Sequence, residues 1–597
     1  MTALKTNLFA WDLTEIFQST TDPCIEKTTE EIVKSAEVFT KKYKGKLKSL
    51  SARDLLKCIE EYEACQTKLR DVLLFATLSF AADMTQPETQ LLNEKAMKLE
   101  AKLEKTLAFF ELEIGKLVST RPKIISDRTL ATYKHALEKI RRHVAHQLSE
   151  VEEQLIIEKD QFGVKAWEEL QSKWLNTRMF KVGVVGKEQV LPYGKANGLL
   201  HHPDRATRES ANKAIYGRLG EQGEIFASAL RNICNDWLSV CERRKYDSPM
   251  HASLIANDID QQTIANLLKT VEDHTDLYRR YLKLKARIMG FPKLGCHDIV
   301  APLPDAPKMK FDYDKAKNLV ISAYSKFDED YAFAVKDMFA KNHIDSAPRF
   351  GKQNGAFCYG WFNGKSAYVL SSFNQSLDDI YTFAHELGHA THAYYAEKSQ
   401  PLMNVRTAAI VAETASIFGE LILTDHLLGE AKSKKEKTAL LCSVLDGAGM
   451  VIFQVTARAW FEQSLYDAID RKEYLNYETI CRYWTGARNK VYGNSVLWFK
   501  EMDAEWTMKP HYYMANFRFY NYPYVYAQLF VYALYQKYLK EGKKFIPKFK
   551  KVLSAGSSIS PVQVGKIVGL DVTKPEFWKL GMRQFEHFLE ELEKTVG

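Results

Sequence analysis

No C-x-x-C pair occurs among the cysteines of this chain, and their number, nine, is odd. That speaks against a disulfide framework and for reduced thiols in a reducing compartment. No long uncharged apolar run is read along the sequence, which argues against a membrane span. Met1-Thr2-Ala3-Leu4-Lys5 does not open a secretory leader, so a cytoplasmic protein with no membrane contact is expected. Charge of one sign does not accumulate either. The 83 Lys and Arg against 75 Asp and Glu leave a net charge of +8, spread widely. The one short basic run, Lys432, Lys434, Lys435 and Lys437, reads as a solvated turn rather than a nucleic-acid patch, and no nucleic-acid partner is expected. There is no low-complexity linker and no clear repeat. What remains is an ordinary globular composition, 46% hydrophobic and 26% charged, on 597 residues, enough to bury a large core.

Histidine is also scarce, with 15 in the chain, yet three fall within eight residues, in His385-Glu386-Leu387-Gly388-His389-Ala390-Thr391-His392. His385 and His389 stand four apart. In a helix that spacing is one turn plus roughly 40°, so both imidazoles leave one face. Two neutral ring nitrogens so placed can bind one zinc ion at about 2.0–2.1 Å. Glu386 can reach a metal-bound water without binding the metal itself, which is the H-E-x-x-H arrangement of zinc hydrolases. The bland alternative is a helix with surface histidines and a solvated Glu. The surroundings oppose it. Ser376 is an N-cap, Asp378 and Asp379 suit the first turn, and Leu377, Ile380, Phe383, Ala384 and Leu387 recur on a helical period, so the helix is expected to be buried. Buried histidines beside a Glu with no metal would be costly to desolvate. Gly388 would permit close backbone approach.

A third protein ligand is required, with one position left open. His392 lies only three residues past His389. The single-segment motif needs a Gly there and a third His six residues beyond the second, where this chain has His392 and Tyr395. Glu413 is the better candidate. It is expected in the middle of a helical run from Arg406 to Leu428, among Ala408, Ala409, Val411, Ala412, Ala415, Ile417, Phe418 and Leu421, and far enough beyond His389 for an antiparallel return. An acid inside such a run should be paired or bound to metal. Glu420 faces the same way, either holding a ligand imidazole or as an ordinary helix carboxylate.

Six tyrosines fall within residues 511–526. An aromatic core would have to satisfy many buried hydroxyls at once. Neutral donors for a developing oxyanion are the other reading, and His511 with Tyr520 or Tyr524 suits that task. Upstream, residues 355–361 and 366–371 read as two strands joined at Asn363-Gly364, a hairpin signal. A strand edge beside the histidine helix can pair with an extended peptide. A small structural sheet without a ligand is the alternative. Cys358, in the first of these strands, reads as a small buried group rather than a nucleophile.

Helical spacing dominates up to about residue 180, with Leu55, Ile59, Tyr62 and Leu69, then Leu91, Leu92, Met97 and Leu103 as apolar positions. A Gly/Pro-containing break near 191–203 divides a helical domain, 1–190, from a domain carrying the motifs, 191–597. The later part is also read as helical apart from the hairpin.

The segment from Tyr368-Val369-Leu370 through the histidine motif to Gln400-Pro401, Ala412-Glu413-Thr414-Ala415-Ser416 and Glu420 resembles oligoendopeptidase F, of the thimet oligopeptidase superfamily of zinc peptidases. Further pieces match in order: Trp11-Asp12-Leu13-Thr14, Asp204-Arg205, Arg208-Glu209, Tyr246-Asp247-Ser248-Pro249, Ala252-Ser253-Leu254, Gly556-Ser557-Ser558-Ile559-Ser560-Pro561, and Phe577-Trp578 with Gly581. The resemblance spans nearly the whole chain. It departs at Ile417 and Gly419, where the family often has Thr and Asn, and at Tyr526-Ala527-Gln528, where the family has a Gly-containing stretch.

The resemblance implies a mainly α fold, with two helical halves around a deep substrate channel and a zincin-type core carrying a small sheet near 355–373. It implies one zinc ion held by His385, His389 and Glu413, with Glu386 as base, and His511 with Tyr520 or Tyr524 at the oxyanion; Glu420 and His392 are the candidates to stand behind the ligands. Ala367, Tyr368 and Tyr522 would contact substrate. The expected activity is cleavage of internal bonds in short peptides by a zinc-bound water. A zinc carboxypeptidase and a silent peptide-binding protein on the same scaffold are the alternatives.

Overall fold

The computed structural model describes residues 10–304, 306–307, 309–515 and 517–597. The stretch Met1–Lys5 and Asn516 of the aromatic segment therefore lie outside the described residues. Helix accounts for 72% of the protein and strand for 5%, which makes it mainly α. The strands are β1 (Met179–Val184), β2 (Lys187–Pro192), β3 (Leu294–Gly295), β4 (Ile344–Asp345), β5 (Phe357–Trp361), β6 (Ser366–Leu370) and β7 (Val496–Leu497). They form an antiparallel β1–β2 hairpin, a parallel β3–β7 pair and a three-stranded sheet in the order β4-β6-β5. The β1–β2 hairpin was not anticipated from sequence: Val185-Gly186 at its tip gives a weak turn signal, and both residues take left-handed φ, +47° and +77°.

The chain divides into two compact units, each built from three stretches. One comprises Met1–Ala145, Met309–Leu427 and Lys537–Leu570, the other His146–Lys308, Leu428–Gln536 and Asp571–Gly597. The first opens with three long helices, α1 (Pro23–Tyr43), α2 (Ala52–Ala82) and α3 (Pro87–Thr120). Leu55, Ile59 and Leu69 of α2 are buried as their spacing predicts. In α3 the buried series is Leu92, Ala96, Leu99, Leu103, Leu107, Phe110 and Ile114, at steps of four or three that hold one helix face inward. Leu91 and Met97, read from sequence as part of the apolar face, fall off that stripe and are exposed.

In the same unit, β5 and β6 pair antiparallel from Phe357↔Leu370 to Trp361↔Ser366, while β4 pairs parallel with the end of β6. The loop between β5 and β6 is the expected hairpin. It spans 362–365, and Lys365 rather than Asn363 or Gly364 carries the left-handed φ, +48°. The sheet packs on α4 (Leu377–Ser399), the helix that carries the histidine motif. Ser376 caps α4: its hydroxyl accepts from Asp379 N–H, and the Asp379 carboxylate accepts from Ser376 N–H. Ile380, Phe383, Ala384 and Leu387 are buried at helical spacing, which fixes which face α4 turns inward.

The expected continuous helix from Arg406 to Leu428 is broken. One turn covers Leu402–Val405, another Ala409–Ala412, and α5 (Thr414–Glu430) begins only after Glu413, whose ψ is 8°. Two sets of side chains account for this. Met403 N–H donates to the Glu63 carboxylate, the buried Asn404 side chain donates to the Thr132 carbonyl, and the Asn404 carbonyl accepts from Ser557 N–H, tying the first turn to partners outside the helix. Farther on, the Thr414 hydroxyl donates to the Val411 carbonyl, an acceptor a continuous helix would use, while the Glu413 carbonyl accepts from Ile417 N–H and opens the ladder of α5. The consequence is that Glu413 sits part-exposed at a helix junction rather than inside an apolar run.

The second unit has its own helical core. Its central elements include the helix Arg205–Gly220, the helix Gly223–Arg244 and α6 (Val455–Asp470); α7 (Tyr522–Glu541) begins in this unit. One helical stretch, Lys434–Asp470, is long and apolar enough by composition to span a membrane, with a mean hydropathy of 1.7 over its best window, contrary to the sequence reading. Fifty-six per cent of that window is buried inside the protein, as for a core helix. All nine cysteines are free thiols.

Candidate metal centre and active site

The approach of α5 to α4 depends on two glycines. A Cβ at Gly388 would lie 2.4 Å from the Ala415 carbonyl oxygen, and one at Gly419 would lie 2.9 Å from the Ala384 carbonyl oxygen. Neither backbone could yield without moving a helix. The space beside Gly419 is filled by Tyr324, whose hydroxyl donates to the Ala384 carbonyl at 2.6 Å. The Gly in place of a larger residue at 419 is thus matched by this hydroxyl.

With the helices this close, the side chains at one end converge. Glu413 Oε2 lies 3.3 Å from His385 Nε2 and 3.2 Å from His389 Nε2. The three candidate ligand atoms all lie within 4.8 Å of one another, and among the described residues they form the one His/Cys/Asp/Glu group with such geometry. For a tetrahedral ion with bonds of about 2.0–2.1 Å, neighbouring ligand atoms stand roughly 3.3 Å apart. Two imidazoles and a carboxylate are also the donor types that suit a divalent ion such as zinc. The residues fit a metal ion.

Other side chains fix the ligands. His385 Nδ1 lies 2.6 Å from Glu420 Oε1, so Nδ1 carries a proton toward that carboxylate and Nε2 is the nitrogen turned toward Glu413. Ser416 donates to Glu413 Oε2 at 2.6 Å. Sequence reading had given Ser416 no role; the signal available was its spacing three residues after a ligand at a helix start. Burial lowers the His385 pKa, but the Glu420 hydrogen bond and the charges of Glu420, Glu413 and Glu386 together raise it to about 9. Burial raises Glu413, but His389, His385 and the Ser416 hydroxyl bring it to about 2. Glu386 is buried, and burial raises its pKa from the ordinary carboxylate value against the pull of the His385 and His389 charges. A carboxylate so tuned is suited to taking and returning a proton.

His392 is buried under this group. Its ring donates to the Ala412 carbonyl, and burial and the His389 charge lower its pKa to about 4, so it is a neutral support for the turn before Glu413. Cys358 is placed as a bystander: burial, then Glu386 and Glu397, push its thiol far above the usual range.

The substrate-binding expectations need revision. Ala367 and Tyr368 lie on β6, the central strand of the sheet, and both are 0% exposed. Tyr368 stacks on His343 at 4.1 Å between centroids and meets the edge of Trp11. The edge strands are β4 and β5, and in β5 Tyr359 is 41% exposed. Tyr522 is also fully buried, and its hydroxyl meets Ser253 Oγ at 3.1 Å and Asn257 Nδ2 at 3.3 Å. Sequence alone could not separate these packed rings from accessible ones.

In the second unit, His511, Tyr520 and Tyr524 come together. The His511 ring stacks on Tyr520 at 5.9 Å, with Tyr524 5.5 Å from Tyr520 and 6.3 Å from His511. Tyr524 is 41% exposed, while Tyr512, Tyr513, Tyr522 and Tyr526 are buried. Burial, then the charges of Arg458 and Lys509, lowers the His511 pKa, so its ring is neutral near pH 7 and carries one N–H donor.

The sequence profile of Peptidase family M3 matches residues 198–584, and that of Oligopeptidase F matches residues 122–176. Neither match includes 177–197, the interval in which the sequence-based boundary at 190 falls. Oligopeptidase PepF of Bacillus subtilis (strain 168) is 28% identical over 591 residues, covering 98% of this chain and 87% of that protein. Group B oligopeptidase PepB of Streptococcus agalactiae serotype III is 29% identical over 596 residues, covering 99% and 97%. Among solved structures, a peptidase from Chlamydophila abortus matches with a TM-score of 0.88 at 22% identity over 98% of both chains. Oligoendopeptidase-F from Enterococcus faecium matches with a TM-score of 0.68 at 24% identity over 96% of this chain and 98% of that one. At such identities the structural matches speak for the fold. The long profile match, falling on the segment that holds the two histidines and Glu413, places the chain in peptidase family M3. It is a metalloendopeptidase whose substrates are peptides, which selects among the three readings the sequence left open.

Proposed function

We propose that the chain is a zinc oligoendopeptidase of the cytoplasm that cuts internal bonds of short peptides, with one ion held by His385, His389 and Glu413. The convergence of two Nε2 atoms on one Glu413 oxygen at 3.2 and 3.3 Å carries this reading. When bound, the ion supplies Lewis acidity to the peptide carbonyl and lowers the pKa of a water toward about 7.

The chain's own residues do the rest. Glu420 holds His385 in one tautomer, and Ser416 holds the Glu413 carboxylate oxygen in place. Glu386 accepts a proton from the attacking water on its carboxylate and returns it to the departing amine. Its raised pKa suits both halves of that exchange. His511, with Tyr520 or Tyr524, donates hydrogen bonds to the developing oxyanion; neutral donors fixed in advance serve this well. A peptide lying as an added strand would pair with β5 through main-chain hydrogen bonds, which bind with little demand on side-chain identity.

The test is Glu386→Gln, assayed with an internally quenched peptide blocked at both ends, alongside metal analysis. Retention of about one zinc per chain with cleavage reduced about 10²–10⁴-fold is expected. Full activity in the purified variant would refute the assignment.

A further inference from the structure

The segment that carries His511, Tyr520 and Tyr524 contains a residue in an unfavourable backbone state. Phe519 has φ +53°, in the left-handed region, which is costly for a bulky side chain. Such a conformation persists only where the surroundings over-determine it, and at Phe519 every handle is taken. Its N–H donates to Glu462 Oε1 at 2.7 Å, its carbonyl accepts from Ser253 Oγ at 3.3 Å, and its ring stacks on Tyr466 at 5.2 Å. Glu462 and Tyr466 are successive turns of one face of α6.

The second oxygen of the same carboxylate accepts from Asn521 Nδ2 at 3.3 Å. Tyr520 therefore leaves the backbone between two residues bonded to one carboxylate. The other end of the segment is fixed on the same helix: the Tyr512 hydroxyl donates to the Arg458 carbonyl, one turn before Glu462, and Tyr512 adjoins His511. Arg518 spans the interval, donating to the Met514 carbonyl at 2.7 Å. The helix α6 is thus a template that sets the two ends of the aromatic segment at one spacing.

We propose that Glu462 is a positioning residue for the reaction: it holds Phe519 left-handed and thereby sets Tyr520 and Tyr524 against His511. This inference rests on reading those three residues as donors to the oxyanion. Glu462 is 4% exposed, and a carboxylate so deep is costly to keep unless its bonds are used. Burial lifts its pKa to about 7 against the pull of the Phe519 N–H, Arg518 and Asn521.

Three variants test it, with steady-state cleavage of a quenched peptide, metal content and thermal unfolding measured on each. Glu462→Met keeps the volume and removes both acceptors. It is expected to lower kcat about 10–100-fold, as misplacement of catalytic groups by about 1 Å does, with KM within threefold and metal retained. Glu462→Gln keeps an acceptor for the Phe519 N–H and is expected to restore most of the turnover lost in Met. Ser253→Ala removes the bond to the Phe519 carbonyl and is expected to lower kcat severalfold at constant KM. It decides the question if Glu462→Met does not fold. A folded Glu462→Met with kcat within twofold of the parent overturns the proposal, as does Gln behaving like Met, or an unfolded Met variant together with an unaffected Ser253→Ala. His511→Phe, run in parallel, separates the two readings. If it turns over normally, the oxyanion reading falls. If it is impaired while Glu462→Met is not, the positioning role alone falls.

Discussion

Gly388 and the Ala415 carbonyl oxygen are in direct apposition: an added Cβ would stand 2.4 Å from that oxygen. The contact lies one residue before His389 and two after Glu413, so it sets the distance between ligands from different helices. Gly388→Ala is expected to force α4 from α5, weaken zinc binding at least tenfold and destabilise the protein by about 1–3 kcal/mol, the usual range for overpacking. Competition against a chromophoric chelator and thermal unfolding would check both. An unchanged affinity would show that the helices can give without disturbing the site.

In the proposed site, Glu420 would act on the ion only through its contact with His385. Its removal in Glu420→Gln weakens the acceptor at Nδ1 and relaxes the ring's orientation. A loss of about 10–100-fold in metal affinity is expected, with cleavage largely recovered at high zinc. Failure to recover at saturating zinc would mean that Glu420 does more than orient a ligand.

His511 is expected to act on turnover rather than on metal. His511→Phe keeps the ring stack on Tyr520 and removes the N–H donor. Losing one oxyanion donor costs about 10²–10³-fold in kcat. Zinc stoichiometry and KM should change little, and a pure KM effect would contradict the donor role.

Glu397, near the end of α4, is 4% exposed, and burial lifts its pKa to about 8 against the pull of Lys365 and Arg70. Its folded pKa lies above the unfolded value near 4.5, so the folded state holds the extra proton between about 4.5 and 8. Stability from this group is therefore present at low pH and lost as pH rises through that window. Glu397→Gln should be more stable than the parent at pH 8, by on the order of a few kcal/mol, and nearly equal to it at pH 5. Unfolding temperatures at both pH values measure this; a difference that does not grow with pH would contradict it.

The helical character of the chain and the core of the metal site were legible because each rests on short-range spacing. Four residues between His385 and His389 and the Ser376 cap suffice to place two imidazoles on one helix face. Glu413 meets the two histidines for a reason that its spacing gives only in part. Its spacing puts it inside an apolar helix, whereas the Thr414 hydroxyl takes the Val411 carbonyl and α5 starts only after Glu413, leaving the carboxylate part-exposed. Tyr368, Tyr522 and Tyr524 show where sequence reading stops: identical side chains at similar spacing, of which two are packed inside and one reaches solvent. That difference arises from partners such as His343 for Tyr368 and Ser253, 269 residues away, for Tyr522, and no local pattern encodes it. The left-handed Phe519 was invisible for the same cause, since a phenylalanine gives no hint of positive φ.

The atoms that would grip the ion, and the side chains of Glu420 and Ser416 hydrogen-bonded to their residues, all come from residues 385–420. Metal uptake is then a local event, decided by the closing of one helix pair. Substitutions elsewhere in the chain should change what is cut, and how fast, before they change whether the ion stays.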